Sequence, residues 1–269
     1  MPYEAINKRC YEKKRTVLEY ALTALQIAEV MIFIKYREYI ADKQVLDIGC
    51  GAGRTTLPLA RLSKHYIGMD FSLDMIALCK EKFAIANTTF LHHDARNMKI
   101  FEDDTFDFVL FSYNGLDSMG NNNRLKTLQE IHRILKKDGV FVFSSHNRNY
   151  HLENSFPTMP FAPCPYVQAK LFAKYFRSVI NFLKNKKREQ FNETYAIIND
   201  KAHSYALLTY YIDKNNQLLQ NKGIGLETVE MYDIFGNTLH HGDSDNHSAW
   251  IYYVTKKPEA TGNTVLITN

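Results

Sequence analysis

The sequence predicts an α/β fold built on a mostly parallel sheet with helices on both faces, and three observations carry that prediction. Between about residue 44 and residue 145, short runs rich in branched and aromatic residues alternate with stretches of helical spacing. That is the pattern of strands joined by crossover helices. Two of the runs, Phe-Asp-Phe-Val-Leu-Phe-Ser at 106–112 and Val-Phe-Val-Phe-Ser-Ser at 140–145, are near-continuously apolar, as strands buried on two sides must be. The first run ends in a cluster of glycines and is followed by a helical stretch, a strand, turn and helix in sequence.

Each element follows from its own residues. Residues 11–39 place Val17, Leu18, Ala21, Leu22, Leu25, Ile27, Ala28, Val30, Met31 and Ile34 at helical spacing with Lys and Glu between them, which predicts one or two amphipathic helices. Residues 44–48 are the first strand and 55–62 the helix after the glycines. A strand at 66–69, a helix at 73–83 and a strand at 88–92 come next, then a strand at 106–112, a helix at 124–135 and a strand at 139–145. Lys136 to Gly139 is the expected helix stop and turn. Residues 154–165 contain four prolines and no periodicity and are read as a loop. Helical spacing resumes at 167–185 and ends in the basic patch from Lys184 to Arg188. Runs at 194–198 and 204–212 flank a candidate hairpin turn at 199–202. A last helix is expected at 213–222, closed by Gly223, followed by strands at 226–234 and 249–256 joined by a polar loop, and a frayed tail from 258.

Composition narrows the classes. At 269 residues and 45% hydrophobic content, the chain is long enough for one large core, so one elaborated domain is expected rather than two. The formal charge of +4, from 33 basic and 29 acidic residues, is too mild and dispersed to imply nucleic-acid binding. Cys10, Cys50, Cys79 and Cys164 lie far apart, without zinc-site spacing or disulfide density, and are expected to be reduced, mostly buried thiols. The N-terminus has no apolar core of the signal-peptide kind, and the best apolar stretch, 21–34, is interrupted by Thr23, Gln26 and Glu29. A cytoplasmic protein with no membrane partner is the expectation.

The residues from Val45 to Arg54 read Val-Leu-Asp-Ile-Gly-Cys-Gly-Ala-Gly-Arg. Glycines at alternate positions suit a tight turn where a ligand meets bare backbone. A dinucleotide fingerprint needs a third glycine three residues after the second, and Arg54 or Thr56 stands there. No Gly-Lys-Ser/Thr follows, so a phosphate-cradling loop fails too.

On these residues the chain resembles the class I S-adenosylmethionine-dependent methyltransferases, whose first motif is an acidic residue followed by Gly-x-Gly-x-Gly, here Asp47, Gly49, Gly51 and Gly53. The resemblance implies a three-layer Rossmann-like methyltransferase fold, with a mostly parallel seven-stranded sheet and an antiparallel last strand. N-terminal helices and a cap insertion are added to it. It divides the chain into an N-terminal helical lid (1–40), a methyltransferase domain (41–257) with the cap at about 149–205, and a tail (258–269). Asp70, ending Tyr-Ile-Gly-Met-Asp, matches the residue that grips the ribose hydroxyls, and a carboxylate is able to accept from two hydroxyls at once. Asp94 and Ala95 match the positions that meet adenine, Phe71 and Met75 its apolar walls, and Arg54, Phe111 and Ser112 complete the implied cofactor set. S-adenosylmethionine is the implied cofactor.

Alternatives stand beside these assignments. Asp47 and Asp70 are also good turn and helix caps, Phe71 and Met75 also fit ordinary core, and His92 and His93 fit structural or solvated positions. The His and Asp cluster at 240–247 imitates a metal site but fits no standard spacing, so a solvated loop is preferred and no metal is expected.

Methyl transfer needs donor and acceptor held in line, water kept out and, for a protonated acceptor, a base. The loops after the fourth and fifth strands supply acceptor groups in an open parallel sheet. His146 is the candidate base and Tyr113 a candidate for contact with the sulfonium. Asn114, Asp117, Asn147 and Arg148 are candidate acceptor contacts, Arg148 for a carboxylate or phosphate. Tyr3 and Tyr11 are lid candidates, with surface packing the alternative. Ser112-Tyr113-Asn114-Gly115 lacks the Asn/Asp-Pro-Pro-Tyr/Phe of enzymes that methylate DNA or glutamine amino groups. A small-molecule acceptor, methylated on N or O, is therefore expected under the aromatic-rich insertion. Those same apolar residues also suit a homodimer face. The other readings are a protein or RNA methyltransferase using Lys184 to Arg188 for docking, and a cofactor-binding sensor or scaffold without activity.

Overall fold

The structure is a computed structural model and describes residues 3–11, 23–150 and 156–259. Helix α1 (Tyr3–Tyr11) is followed by α2 (Ile27–Lys35) and then by the alternating part: β1 (Gln44–Ile48), α3 (Thr56–Ala60), β2 (His65–Asp70), α4 (Leu73–Lys82), β3 (Thr88–His92), β4 (Phe106–Phe111), α5 (Asn121–Ile134) and β5 (Leu135–Asn147). After this come α6 (Pro165–Lys186), β6 (Gln190–Phe191), β7 (Tyr195–Ile198), β8 (Thr209–Ile212), α7 (Lys214–Ile224), β9 (Glu227–Asp233), β10 (Thr238–Leu239) and β11 (Trp250–Lys256). Val17, Leu18, Ala21 and Leu22 of the expected N-terminal helix, the start of the proline-rich loop and the end of the tail lie outside the described residues.

The strands line up as β10-β9-β11-β5-β4-β1-β2-β3. Pairing is parallel from β3 to β5, and β11 enters antiparallel between β5 and β9. This is the expected mostly parallel sheet with an antiparallel last strand, lengthened at one edge by the two residues of β10. Side chains alternate across it because successive Cβ atoms of a strand point to opposite faces. Leu46, Phe141, Phe143, Ile251 and Tyr253 pack on one face with Leu128, Ile131 and Ile134 of α5. Val45, Val140, Val142, Tyr252 and Val254 pack on the other with Ile32 of α2, Leu59 of α3, and Ile76 and Cys79 of α4. The central strands are thus buried on both faces, which is why their sequences run apolar without interruption.

The segment between β5 and α7 extends the same sheet. Beyond the end of β4, β8 takes its place against β5, pairing His146 with Tyr211 and Asn147 with Ile212 in parallel. β7 and β6 continue outward antiparallel.

Four local expectations are corrected. Helix α5 starts at Asn121, three residues early, because Gly120 in extended conformation is its N-cap. The turn at Lys136 to Gly139 lies inside β5, since Leu135 already pairs with Phe106, and Asp138, at φ 58, makes the bend. The connection between β7 and β8 runs to residue 208, because His203, Ser204 and Tyr205 all take left-handed backbone. Gly225, not Gly223, closes α7: it holds φ 89 and its N–H caps the carbonyls of Asn221 and Lys222. Of the cysteines, Cys10, Cys50 and Cys79 are buried and Cys164 is exposed, all unbridged.

Candidate active site

At the carboxyl ends of β1, β2 and β4 the chain leaves a cavity of about 320 Å³, the place where an open parallel sheet offers a crevice to a ligand. Its floor is the turn after β1. Gly51 and Gly53 sit at φ 56 and 83, a region L side chains rarely adopt. The two have different reasons to be glycine. A Cβ on Gly53 would stand 2.2 Å from Cε2 of Phe83, whereas one on Gly51 would meet nothing closer than the Gly49 carbonyl at 4.0 Å. Gly53 is small for packing, and Gly51 bares its backbone to the cavity.

Asp70 closes β2 and lines the cavity. One carboxylate oxygen accepts from Gly51 N at 3.0 Å and the other from Ser72 N at 2.8 Å. The helix cap is made instead by Ser72, whose Oγ accepts from Met75 N at 3.4 Å. A carboxylate offers about four acceptor positions, so two remain on Asp70. Burial pushes its pKa above the ordinary carboxylate range.

Asp47 lies deeper. Tyr66 OH donates to it at 2.7 Å and Thr55 Oγ1 donates to the same oxygen. Complete burial outweighs both hydrogen bonds and the nearby Arg54, and its pKa is pushed up to about 6. Arg54 forks onto the buried carboxylate of Glu29, with Nη2 at 2.7 Å from Oε1, and its guanidinium stacks 4.8 Å from the centre of the Tyr113 ring. Ser112 Oγ donates to Glu29 as well. Glu29 holds this corner together from α2.

The far wall is made by Phe71, Met75, His93, Asp94, Ala95 and Arg96. Arg96 donates to Asp94 through Nε at 2.9 Å and through its backbone N at 2.9 Å. Partial burial acts to raise the Asp94 pKa, and the Arg96 contacts overcome it, so the group stays below the ordinary range. Helix α1 covers the remaining side with Glu4, Ala5, Asn7, Lys8 and Tyr11. Glu4 accepts from Gly120 N at 2.6 Å and from Asn123 Nδ2, which clamps α1 to the start of α5. Asn7 donates to the carbonyls of Ser118 at 3.1 Å and Leu208 at 2.8 Å. Tyr11 meets Phe71 edge-on at 6.2 Å and His203 at 5.8 Å. The side chain of Tyr3 lies outside the described residues.

After β4, Tyr113 and Asn114 take successive left-handed conformations, φ 55 and 59. Such backbone costs about 1–3 kcal/mol at a residue with a side chain and clusters where a site must be shaped. Ser144 Oγ holds the turn by accepting from Asn114 N at 2.8 Å. Beside it stands His146, 18% exposed, walled by Tyr211 at 4.9 Å and Trp250 at 5.8 Å. His146 Nδ1 lies 2.6 Å from Asp117 Oδ2. Asp117 is an acceptor throughout, so Nδ1 carries the hydrogen and Nε2 keeps its lone pair. That lone pair faces Asn114 Nδ2 at 3.4 Å, while the buried Oδ1 of Asn114 has no partner among the described residues.

Three expected acceptor contacts are corrected here. Asp117 is buried and its carboxylate is consumed by Arg124 at 2.6 Å, Ser145 at 2.8 Å and His146 N at 2.7 Å besides the imidazole. Asn147 is buried and donates to the carbonyls of Asp245 and Ser248 at 2.8 and 3.1 Å, tying down the loop before β11. Arg148 reaches away from the cavity to the carbonyls of Asn192 and Glu193. Asp47, Gly49, Gly51, Arg54, Asp70, Phe71, Met75, Asp94, Ala95, Phe111, Ser112, Tyr11 and Tyr113 do line the cavity, whereas Gly53, Asn114 and His146 are not among its lining residues. Glu4, Asn7, Glu29 and Arg96 were missed, and only Glu29, an acid in an otherwise apolar helix, carried a signal. Among the described residues no group of three or more His, Cys, Asp or Glu is placed to hold a metal ion, and no helix is long and apolar enough to cross a membrane.

A family model described as a methyltransferase domain matches residues 45–139. The demethylmenaquinone methyltransferase of Staphylococcus aureus (strain JH9) is 32% identical over 182 residues. That alignment covers 66% of this chain and 66% of the relative, just under two thirds of the relative's length. A solved S-adenosylmethionine-dependent methyltransferase from Clostridium acetobutylicum ATCC 824 superposes with TM-score 0.60 at 15% identity, covering 94% of this chain and 98% of that one. Burkholderia thailandensis 1,6-didemethyltoxoflavin-N1-methyltransferase was solved with 1,6-didemethyltoxoflavin and S-adenosylhomocysteine bound. It superposes with TM-score 0.59 at 12% identity, covering 95% and 87%. The two likenesses in structure are likenesses of fold.

Proposed function

We propose that the chain is a class I S-adenosylmethionine-dependent methyltransferase with S-adenosylmethionine as its cofactor, and that it methylates an N or O atom of a small-molecule acceptor with His146 as general base. The observation that carries the proposal is the cavity at the sheet's carboxyl edge, roofed by α1 and floored by the bare backbone of Gly51. The residues fit the cofactor. Gly51 leaves open the space that a Cβ would fill, and Asp70 keeps two acceptor positions for neighbouring hydroxyls after its contacts to Gly51 and Ser72. Asp94 and Ala95 line the cavity together with Phe71 and Met75, and in this reading they meet the adenine. Asp47, Arg54 and Tyr113 line the end assigned to the amino-acid part, where a carboxylate and an aromatic face suit a cation.

When bound, S-adenosylmethionine supplies a methyl group on a sulfonium, which leaves by in-line displacement. The chain holds the acceptor, keeps water out and moves one proton. Nε2 of His146 takes the proton of the acceptor's O–H or N–H, and the imidazolium so formed is held at Nδ1 by Asp117. Arg124, fully buried, pairs with the same carboxylate at 2.6 Å and fixes its position against the imidazole. Asn114 Oδ1 is a buried acceptor with no partner among the described residues, and in this reading it takes a hydrogen bond from the acceptor beside the base. The relatives' names, demethylmenaquinone and 1,6-didemethyltoxoflavin methyltransferase, support a small organic acceptor.

Calorimetry with S-adenosylmethionine tests the first half: no binding at millimolar cofactor sinks the proposal. An assay for S-adenosylhomocysteine release across a panel of small aromatic and quinone-like acceptors tests the second. Cofactor binding without release on any acceptor favours a sensor or scaffold. Turnover unchanged in His146→Ala removes the base.

A further inference from the structure

Helix α6 leaves most of its circumference bare. Only Ser178, Phe182 and Asn185 are buried, and they fix the helix to the connection between β7 and β8: Asn181 and Asn185 donate to the carbonyls of Ser204 and Tyr205, each at 3.0 Å, and Phe182 meets the Tyr205 ring edge-on at 5.5 Å. Away from that seam Phe172, Phe176, Ile180 and Leu183 are 45–59% exposed. At about 100° per residue these four fall within an arc of about 80°. Lys170, Lys174, Arg177 and Lys184, all exposed, occupy the neighbouring arc of about 80°. The 22 residues contain no Asp or Glu. Phe161, 86% exposed, precedes the helix.

We propose that α6 is an interfacial helix that docks this protein on an anionic lipid surface, its phenylalanine stripe in the acyl boundary and its lysines on the headgroups. A helix with a strong apolar face, low net hydrophobicity and a basic flank lies in a membrane interface, held by apolar burial and attraction to anionic lipid together. Charge selects this occupant over a second copy of the chain. An antiparallel two-fold pairing of α6 sets the stripe against itself and brings the cationic arcs of both helices to the same side of the seam, with no acid on either helix to answer them. Among the described residues no helix is long and apolar enough to cross a membrane, and a helix that lies on the surface does not need to be.

The test is co-sedimentation of the full chain with vesicles of phosphatidylcholine alone and of phosphatidylcholine with phosphatidylglycerol. Binding is expected to the anionic vesicles, at least about tenfold weaker to neutral ones and weakened by salt. Phe172→Glu with Phe176→Glu is expected to abolish it, and Lys170→Gln with Lys174→Gln and Arg177→Gln to reduce it at least about tenfold. Melting temperature and S-adenosylmethionine affinity should stay unchanged in both variants, because these side chains are exposed and away from the cavity. Equal binding to neutral vesicles, no vesicle binding, or binding retained by the Phe172/Phe176 variant overturns the proposal. Sedimentation velocity provides the opposing outcome: a dimer that the same variant splits assigns the face to a second copy and overturns it too.

Discussion

Replacing Asp47 by Asn is expected to make the folded chain more stable and its grip on S-adenosylmethionine weaker. Asp47 is 2% exposed, and its pKa stands at about 6 against an ordinary 3.8 because burial disfavours the charge. At about 1.4 kcal/mol per pH unit, ionising it in the folded state costs about 3 kcal/mol more than in the unfolded chain. Between pH 3.8 and about 6 the folded form holds a proton that the unfolded form has released. Stability therefore falls as pH rises through that window, and the full cost is present above it. Both hydrogen bonds that Asp47 accepts, from Thr55 and Tyr66, reach one oxygen. An asparagine carbonyl there keeps both and removes the charge. Urea unfolding without cofactor is expected to show Asp47→Asn more stable by up to about 3 kcal/mol at pH 7.5, with the gain disappearing as pH falls toward 4. Calorimetry at pH 7.5 is expected to show weaker cofactor binding, because a cation in the cavity is what an ionised Asp47 serves. No gain at pH 7.5, or a gain independent of pH, refutes the reasoning from burial; unchanged affinity refutes the role toward the cofactor.

Asp70→Ala should weaken S-adenosylmethionine binding by about 100-fold, the worth of two hydrogen bonds to a carboxylate, and calorimetry within about threefold of the parent contradicts that. Gly53→Ala forces a Cβ to 2.2 Å from Phe83 at φ 83, so a loss of about 2 kcal/mol or more is expected in thermal unfolding; an unchanged melting temperature shows that the loop has room. Asp117→Asn and His146→Ala should separate structure from chemistry. The first leaves Arg124 buried without a counter-charge and should cost about 3–5 kcal/mol of stability. The second leaves Asp117 its three other donors and should lower kcat by about 10²–10⁴ while changing stability by about 1 kcal/mol or less.

Some of this molecule was legible residue by residue. Strand Thr88–His92 has the bounds its apolar run suggests, and the left-handed turn after β1 is written in Gly49, Gly51 and Gly53. Asp70 ends β2, Asp94 follows the end of β3 by two residues, and both line one cavity. The use of the polar residues after β4 and at the end of β5 was not legible. Asp117, Asn147 and Arg148 read as groups facing an acceptor, yet each is engaged by partners far along the chain: Asp117 by Ser145 and His146, Asn147 by the carbonyls of 245 and 248, Arg148 by those of 192 and 193.

The same division runs through the whole chain. Sequence alone determined the alternating elements and the glycine turn, because strand and helix periodicity and the backbone freedom of glycine act over a few neighbouring residues; the donor class was implied by the family resemblance of Asp47, Asp70 and Asp94 around that turn. Tertiary structure decided that Glu29 takes Arg54, that Glu4 clamps α1 to α5, that Asp117 serves His146 rather than an acceptor, and that α6 turns its phenylalanines outward. A side chain's partner and its exposure depend on which distant segments arrive beside it, and no local pattern encodes that.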